Sequence, residues 1–441
     1  MGVEFRILWT DALIYLLVSA IIGFVLYARR REHLVAPWRQ VFRRRLGMAA
    51  FVVLLCYVSI GLLDSIHYRH PDRAEIISAF DDLAGALRTQ VEKSYSAPFA
   101  THLYTKETVR LPDGTKQRIR PRLTYGGAHL QHPETDRAKD VRSRLFNGAL
   151  TGLLIWALSV VSFVFLIARR EKVGWRLMAG RIWRGETALP WKVILGTIGV
   201  MMVMASLVIA LSTRYHILGT DKVGQDVLYQ ALKSIRTGLV IGTLTTLVML
   251  PFAVMLGIMA GYFRGWVDDV IQYLYTTLSS IPGVLLIAGA ILMLQVHMSN
   301  HPEAFANVTS RSDARLLFLC IILGITNWTG LCRLLRGEAL KISQVDYIQA
   351  ATAFGVNHMR IITRHILPNV MHIIMISVVL QFSGLVLAEV GLSYVGVGVD
   401  PSMNSWGNMI NSARLEMARE PIVWWSLLAA FLFMFTLVLA A

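Results

Sequence analysis

Charge, cysteine and nucleotide-binding motifs are what this sequence has least of. Only 16% of its 441 residues are Asp, Glu, Lys or Arg, against roughly a quarter in a soluble globular chain. With 55% apolar residues and a positive mean hydropathy, an ordinary water-soluble domain is excluded. The three cysteines, Cys56, Cys320 and Cys332, lie in or beside apolar runs, so they imply packing and no disulfide framework. No G-x-x-x-x-G-K-[ST] loop is present, which excludes ATP hydrolysis by that route. Neither HExxH nor a paired-cysteine motif suggests a metal, and no G-x-S-x-G elbow suggests a hydrolase. Scattered histidines such as His297 and His301 suit hydrogen bonding better than ligation. The chain is expected to be no enzyme and to hold no cofactor or metal of its own.

What is there is a series of apolar runs, each near the about 20 residues that cross a bilayer. They fall at about 8–28, 46–63, 149–168, 193–211, 235–262, 267–294, 316–331, 371–390 and 422–441. The fold expected is therefore an all-α polytopic membrane protein with about nine transmembrane helices. A net charge of +15 invites a nucleic-acid reading, but Arg and Lys gather beside the ends of apolar runs. That is the positive-inside pattern, so membrane lipid is expected as a partner and nucleic acid is not.

Taken in order, residues 1–63 hold two helices joined by Arg29–Arg45, which carries seven arginines and reads as cytoplasmic. The charge follows the first run, so it reads as a retained helix with its N-terminus outside. Residues 64–147 form the longest polar stretch and are expected as a small α+β extracytoplasmic insertion. Within it, Asp81–Lys93 suits a short helix, and Thr101–Leu123 suits a hairpin around Pro112-Asp113-Gly114. Its 14 Lys and Arg do not bar export, because long segments translocate largely regardless of charge. Residues 148–192 give a third helix and a basic cytoplasmic linker with Trp175, Trp183 and Trp191. Interfacial anchoring explains these tryptophans, and a specific lipid or partner site is the alternative.

Residues 193–441 supply the remaining six helices, and nine crossings leave the C-terminus and Asp346–Asn369 in the cytoplasm. Pro251 and Pro282 sit within expected spans, where each removes a backbone hydrogen bond and kinks the helix. Gly242, Gly257, Gly261, Gly283 and Gly289 permit close helix approach. The spans are nearly free of ionisable groups: Glu389 lies at an outer end, and Asp268 and Asp269 lie at a helix start. A gradient-driven carrier needs such groups at depth, so any active transport would draw on an external energy source.

Asp346–Asn369 is a polar, moderately basic island between two apolar runs. Tyr347–Phe354 reads as a short helix in which Tyr347, Ile348, Ala351 and Phe354 share a face. Gly355 supplies a stop with freedom for positive φ. Ile361, Ile362 and Ile366 form a second amphipathic face, which Pro368 closes. Small Ala350 and Ala351 admit a neighbouring surface, and Phe354 offers an aromatic anchor.

This segment resembles the coupling loop of ABC-importer permeases, E-A-A, three residues, G, nine residues, I-x-L-P. It matches at Ala350, Ala351, Gly355, Leu367 and Pro368, and departs at Gln349 and His365, where the family has Glu and Ile. The His-Ile-Leu-Pro-Asn ending looks like the dipeptide/oligopeptide branch. Three other stretches resemble the same subunits: His216-Ile-Leu-Gly-Thr-Asp-Lys-Val-Gly-Gln-Asp226, Gly261-Tyr-Phe-Arg-Gly-Trp-Val-Asp268, and Leu387–Met409 with its Ser405-Trp406-Gly407-Asn408-Met409. In the first, Gly219 and Gly224 allow tight turns, and Asp221 and Asp226 can cap a helix N-terminus.

The resemblance implies a bacterial inner-membrane permease subunit that moves di- or oligopeptides or related solutes by alternating access. The core would be the six-helix type I permease of residues 193–441, with its coupling loop at 332–369. Implied partners are a homologous permease, two ABC ATPase subunits that bind ATP and Mg, and an extracytoplasmic solute-binding protein. Tyr347, Gln349, Ala350, Ala351, Phe354, Gly355, Leu367 and Pro368 would couple to an ATPase. His216, Gly219, Thr220, Asp221, Gly224, Asp226, Ser405, Trp406, Gly407 and Asn408 would border the outer mouth. Such permeases commonly carry a polar tail, so the ending at Ala440-Ala441 reads as truncation or loss of that tail. The alternative function is a membrane receptor or scaffold that uses a permease-like fold to anchor the insertion.

Overall fold

A computed structural model describes residues 4–29, 42–69, 76–110, 116–303, 305 and 307–441. Helices dominate, as the apolar runs require, because a bilayer offers the backbone no hydrogen-bond partners. Among the described residues, eight helices are long and apolar enough to span a membrane, and Trp425–Ala440 is a shorter apolar helix. The chain is thus a polytopic, mostly helical membrane protein. It divides into two compact units: residues 1–5, 17–236 and 404–441, and residues 6–16 and 237–403. Helix α1, Trp9–Ala28, contributes to both.

The first unit opens with strand β1, Glu4–Phe5, and contains helix α2, Arg45–Asp64. Strands β2, His67–Arg69, and β3, Ile76–Ser78, join β1 in an antiparallel sheet of order β1-β2-β3. Its register sets Glu4 opposite Arg69 and Tyr68 opposite Ile77. This sheet has no alternating signature in the sequence, since its strands are only two or three residues long. The helix expected over Asp81–Lys93 is instead two short ones, α3 Ala79–Leu83 and α4 Gly85–Thr89. Ser78 and Asp81 form a reciprocal capping box that starts α3 at Ala79. The expected hairpin is present as β4, Glu107–Arg110, paired with β5, Lys116–Ile119. Its Pro112-Asp113-Gly114 turn lies outside the described residues, as does most of the arginine-rich 29–45 loop.

Helix α5, Pro133–Arg170, starts well before the apolar run, and α6, Trp175–Arg184, and α7, Trp191–Ser212, follow. Small residues let α5 and α7 meet closely: a Cβ on Gly152 would lie 2.9 Å from the Val203 Cα. Ser206 donates to the Gly148 carbonyl at 2.8 Å, and the Trp156 indole donates to that of Leu195 at 2.8 Å. The unit ends with α15, Trp406–Glu416, and α16, Trp425–Ala440. After α7 in chain order, α8 covers Val227–Phe263 and enters the second unit after Arg236.

In the second unit α9 covers Gly265–Ser280, α10 Gly283–Asn300 and α11 Val308–Ile342. The single span expected over 267–294 is therefore interrupted. Ile281 is extended, with φ −87 and ψ 128, because the ring of Pro282 disfavours helical backbone in the residue before it. Pro251, by contrast, is carried inside α8 without a break. Of the five glycines expected at close contacts, three sit there: added Cβ atoms would meet Phe382 at Gly242, Cys332 at Gly257 and Arg336 at Gly261. Gly283 and Gly289 face open space.

The last elements are α12, Asp346–Ala353, α13, His358–Ile361, a π-helical turn over Ile362–Ile366, and α14, Leu367–Tyr394. Pro368 does not close the second amphipathic segment as expected; helix runs through it from His358 to Tyr394. A proline lacks the N–H that an α-turn would use, and the wider π-turn just before it absorbs the mismatch.

Candidate functional site

Two groups of motif residues require placing, one in each unit. In the second unit, Gly355 has φ +70 with open space around it, so it ends α12 in the left-handed region. Asn357 then caps α13, its side chain accepting from the Met359 N–H at 2.9 Å. The two short helices form a helix-turn-helix whose inner side is Ile348, Ile361, Ile366 and Val370, all buried. These pack in one core with Ile258, Ala260, Leu335 and Ala339 of α8 and α11. Rigid spanning helices thus support the loop directly.

The outer side carries the polar and small residues. Gln349 and Ala350 are exposed, and Phe354 is 87% exposed. The shared face expected for Tyr347, Ile348, Ala351 and Phe354 is therefore divided: Ile348 is buried, Ala351 is half-buried, and Tyr347 and Phe354 look outward. Helical spacing fixes which residues are neighbours but not which way the helix is rolled, and the Ile348 contact sets the roll. Gln349 donates to the Gln344 carbonyl at 3.1 Å, a local bond available to an amide and not to a carboxylate. Asn369 donates to the Tyr347 hydroxyl at 3.0 Å and to the His365 carbonyl at 2.7 Å. Tyr262 and His358 are joined at 2.9 Å, and Arg336 grips Asp268 through both carboxylate oxygens at 2.5 and 2.6 Å. Leu367 is half-buried and Pro368 exposed in the first turn of α14.

The first unit holds the 216–226 loop. Asp226 accepts from the Leu228 and Tyr229 N–H groups at 2.9 and 3.2 Å, capping α8 as expected. Its other oxygen binds His216 Nδ1 at 2.8 Å. Asp221 makes a local turn, accepting from Val223 and Gln225 N–H groups, and caps no helix. Thr220 donates to the Ser94 carbonyl and accepts from the Ser96 N–H. Gly224 has φ +79, and a Cβ there would fall 1.7 Å from the Glu92 carbonyl oxygen, so only glycine fits. Ser405 caps α15 by accepting from the Asn408 N–H at 3.0 Å. Buried Trp406 donates to the Ala231 carbonyl at 3.1 Å, which draws Ser405–Asn408 against the first turns of α8.

Residues 64–147 supply the side chains that the sequence did not reveal. Glu92 accepts from the Thr124, Tyr125 and Gly126 N–H groups at 2.8 to 3.0 Å and lies 3.5 Å from His216 Nε2. Burial alone would raise the Glu92 pKa, but His216 and the three N–H groups outweigh it and hold the carboxyl at about 2. Burial would likewise neutralise His216, yet Asp226 and Glu92 on either side push it up to about 9. Further bonds run from Phe99 N–H to the His216 carbonyl and from Tyr104 hydroxyl to the Ile422 carbonyl, both at 3.0 Å. Tyr229 donates to Asp81 at 2.6 Å, and Lys233 pairs with both Asp81 and Asp64. Single polar residues in an insertion carry no spacing pattern, so no sequence signal could have found them.

Among the described residues no His, Cys, Asp and Glu group could hold a metal ion. The geometry offers one exposed face backed by α8 and α11, and one locked ionic cluster.

Residues 253–441 match the family of binding-protein-dependent transport system inner membrane components. The chain is similar to the glutathione transport system permease protein GsiD of Pectobacterium atrosepticum, 30% identical over 47% of this chain and 63% of that protein. It is similar to the oligopeptide transport system permease protein OppC of Mycobacterium bovis, 30% identical over 47% and 66%. To the dipeptide transport system permease protein DppC of Bacillus subtilis it is 30% identical over 44% and 56%. The chain spans less than two thirds of the length of these relatives, and the 216–226 loop precedes the family match. Residues 253–441 thus resemble the binding-protein-dependent transport system inner membrane components, and the relatives similar to the chain are permease proteins of glutathione, oligopeptide and dipeptide transport systems.

Proposed function

We propose that the chain is the permease subunit of an ATP-driven importer for peptides or related small solutes in a bacterial inner membrane. The observation that carries this reading is the exposed Phe354 beside small, exposed Ala350, on a helix whose opposite face is bonded into the core of α8 and α11. An exposed aromatic next to small residues is the shape of an anchor for a partner's pocket. Its rigid backing would pass a push from that partner to the spanning helices. In this reading two ATPase subunits bind ATP and Mg, and closure of the ATPases moves the permease between outward- and inward-facing states. A homologous permease and a solute-binding protein complete the assembly.

Nine crossings are part of the proposal, with α9 and α10 making one interrupted crossing and α16 the last. The N-terminus then lies outside and the C-terminus in the cytoplasm. Local pairings support this parity. In the first unit β1 pairs with β2, and the 92–104, 216–226 and 416–422 stretches bond together, as segments on one side must. In the second unit Tyr262 bonds to His358 and Arg264 to Ser343, which this topology puts together in the cytoplasm.

Purification of the intact chain from its native membrane tests the assembly: two co-isolating P-loop ATPases are expected. A chain that isolates without any ATPase, with its insertion holding a different partner, would instead favour the receptor reading. Gly355→Pro, or tryptophan at both Ala350 and Ala351, is expected to abolish uptake and leave membrane insertion intact. Unchanged uptake in both variants would contradict the coupling role.

A further inference from the structure

We propose that a basic cavity formed by α2, α6 and α7 binds the phosphate headgroup of an anionic membrane lipid. The cavity measures about 720 Å³, and Arg43, Arg45, Trp183, Arg184 and Lys192 line it. Among the described residues its wall has four cations and no carboxylate. Among the described residues Arg43, Arg45 and Arg184 make no ion pair. Lys192 is held with its ammonium 4.5 Å from the Trp183 ring, a cation–π contact that fixes its direction. Like charges gathered without a counter-ion repel one another, and a bound anion relieves that repulsion. Guanidinium forks match phosphate oxygens bidentately, so the cavity chemistry is that of a phosphate site.

The position of the cavity selects a lipid over a soluble phosphate. Arg45 begins α2 and Trp191 begins α7, and both helices are candidate membrane spans. The cavity is therefore at the level where the apolar spans end, which is headgroup depth. Helix α6 beside it is amphipathic: Met178 and Ile182 are buried against Val164 and Ala168 of α5. Its Trp175, Leu177 and Trp183 stay exposed, with Trp183 at 74%. Tryptophan beside Lys and Arg is the composition of a helix lying in the membrane interface. Gly185, at φ +76, turns the chain after Arg184 so that Arg184 and Lys192 reach the same cavity. Basic recesses between the ends of spanning helices are suited to anionic headgroups.

Native mass spectrometry of the full chain, purified in detergent and stripped of lipid, tests this with phosphatidylglycerol, phosphatidylcholine and inorganic phosphate as separate probes. Wild-type protein is expected to retain phosphatidylglycerol in preference to phosphatidylcholine. Arg184→Gln with Lys192→Gln is expected to weaken phosphatidylglycerol roughly thirtyfold, with phosphatidylcholine unchanged. Arg45→Gln alone should give a smaller loss in the same direction. The control, Arg176→Gln with Arg181→Gln, removes the same charge from α6 outside the cavity and is expected to retain the lipid. Equal retention of the two lipids by the wild type, or equal losses in the double variant and the control, would overturn the proposal. Displacement of phosphatidylglycerol by inorganic phosphate at matching concentration would assign the cavity to a free anion and overturn the lipid.

Discussion

His216, Thr220 and Asp226 are buried and bonded on several sides, whereas Gln349, Ala350 and Phe354 stand exposed with few bonds beyond their own loop. Both stretches resemble motifs of one family, yet the physical demands on them are opposite. The 216–226 loop is satisfied by its own chain. Thr220 and Asp226 gain partners from residues 94–96 and from the start of α8, and His216 is held between Asp226 and Glu92; each would cost free energy if left alone. The 346–369 segment is satisfied only on its inner side. What it leaves outside is a large aromatic, Phe354, almost wholly exposed, which the proposed function reads as the anchor for a partner. A motif can therefore mark a place where the fold is locked or a place where it is offered.

The contrast can be broken first at two left-handed glycines, Gly224 and Gly355. Gly224→Val forces a side chain into the Glu92 carbonyl and should cost about 3 kcal/mol or more. Gly355→Ala meets open space and should cost about 1 kcal/mol for the backbone alone. Thermal unfolding of the two variants in one detergent compares them. Equal losses would mean that the two loops are equally constrained.

Glu92→Gln comes next in size. It leaves a buried, charged His216 short of a counter-ion and weakens acceptance from three N–H groups, a loss of about 3 kcal/mol. A pH series sharpens this. The folded-state pKa of His216 is raised from 6.5 to about 9, so its contribution is complete below pH 6.5 and disappears as pH rises through about 9. Glu92 is lowered from 4.5 to about 2, so its contribution is complete above pH 4.5 and disappears as pH falls through about 2. Thermal stability should decline from pH 6.5 to pH 9 in the wild type, and His216→Asn should flatten that decline. A variant with the same slope as the wild type would remove His216 from the account. Smallest of all, Phe354→Ala should change stability by no more than about 0.5 kcal/mol, because almost the whole ring already lies in solvent.

What depends on local chemistry was legible in the sequence. Gly355 as a helix stop, Asp226 as a cap and the β4–β5 hairpin all follow from residues close in the chain. Most of the apolar helices were legible for the same reason, since apolar length is a local property, but the run expected over 267–294 is divided before Pro282. What failed was what depends on contacts distant in sequence. The roll of α12 is set by the burial of Ile348, so Phe354 turned out to face away from it. Helix continued through Pro368 because a π-turn preceded it, and no residue type announces a π-turn. The Glu92–His216–Asp226 cluster joins positions more than a hundred residues apart, and single polar residues leave no period to read.

The role assigned to the exposed face is tested most directly by ATP hydrolysis in the purified assembly, with and without solute and its binding protein. Phe354→Ala is expected to fold and assemble normally and to lose roughly tenfold or more of the solute-stimulated rate. A Phe354→Ala assembly with wild-type stimulation would contradict coupling through this helix.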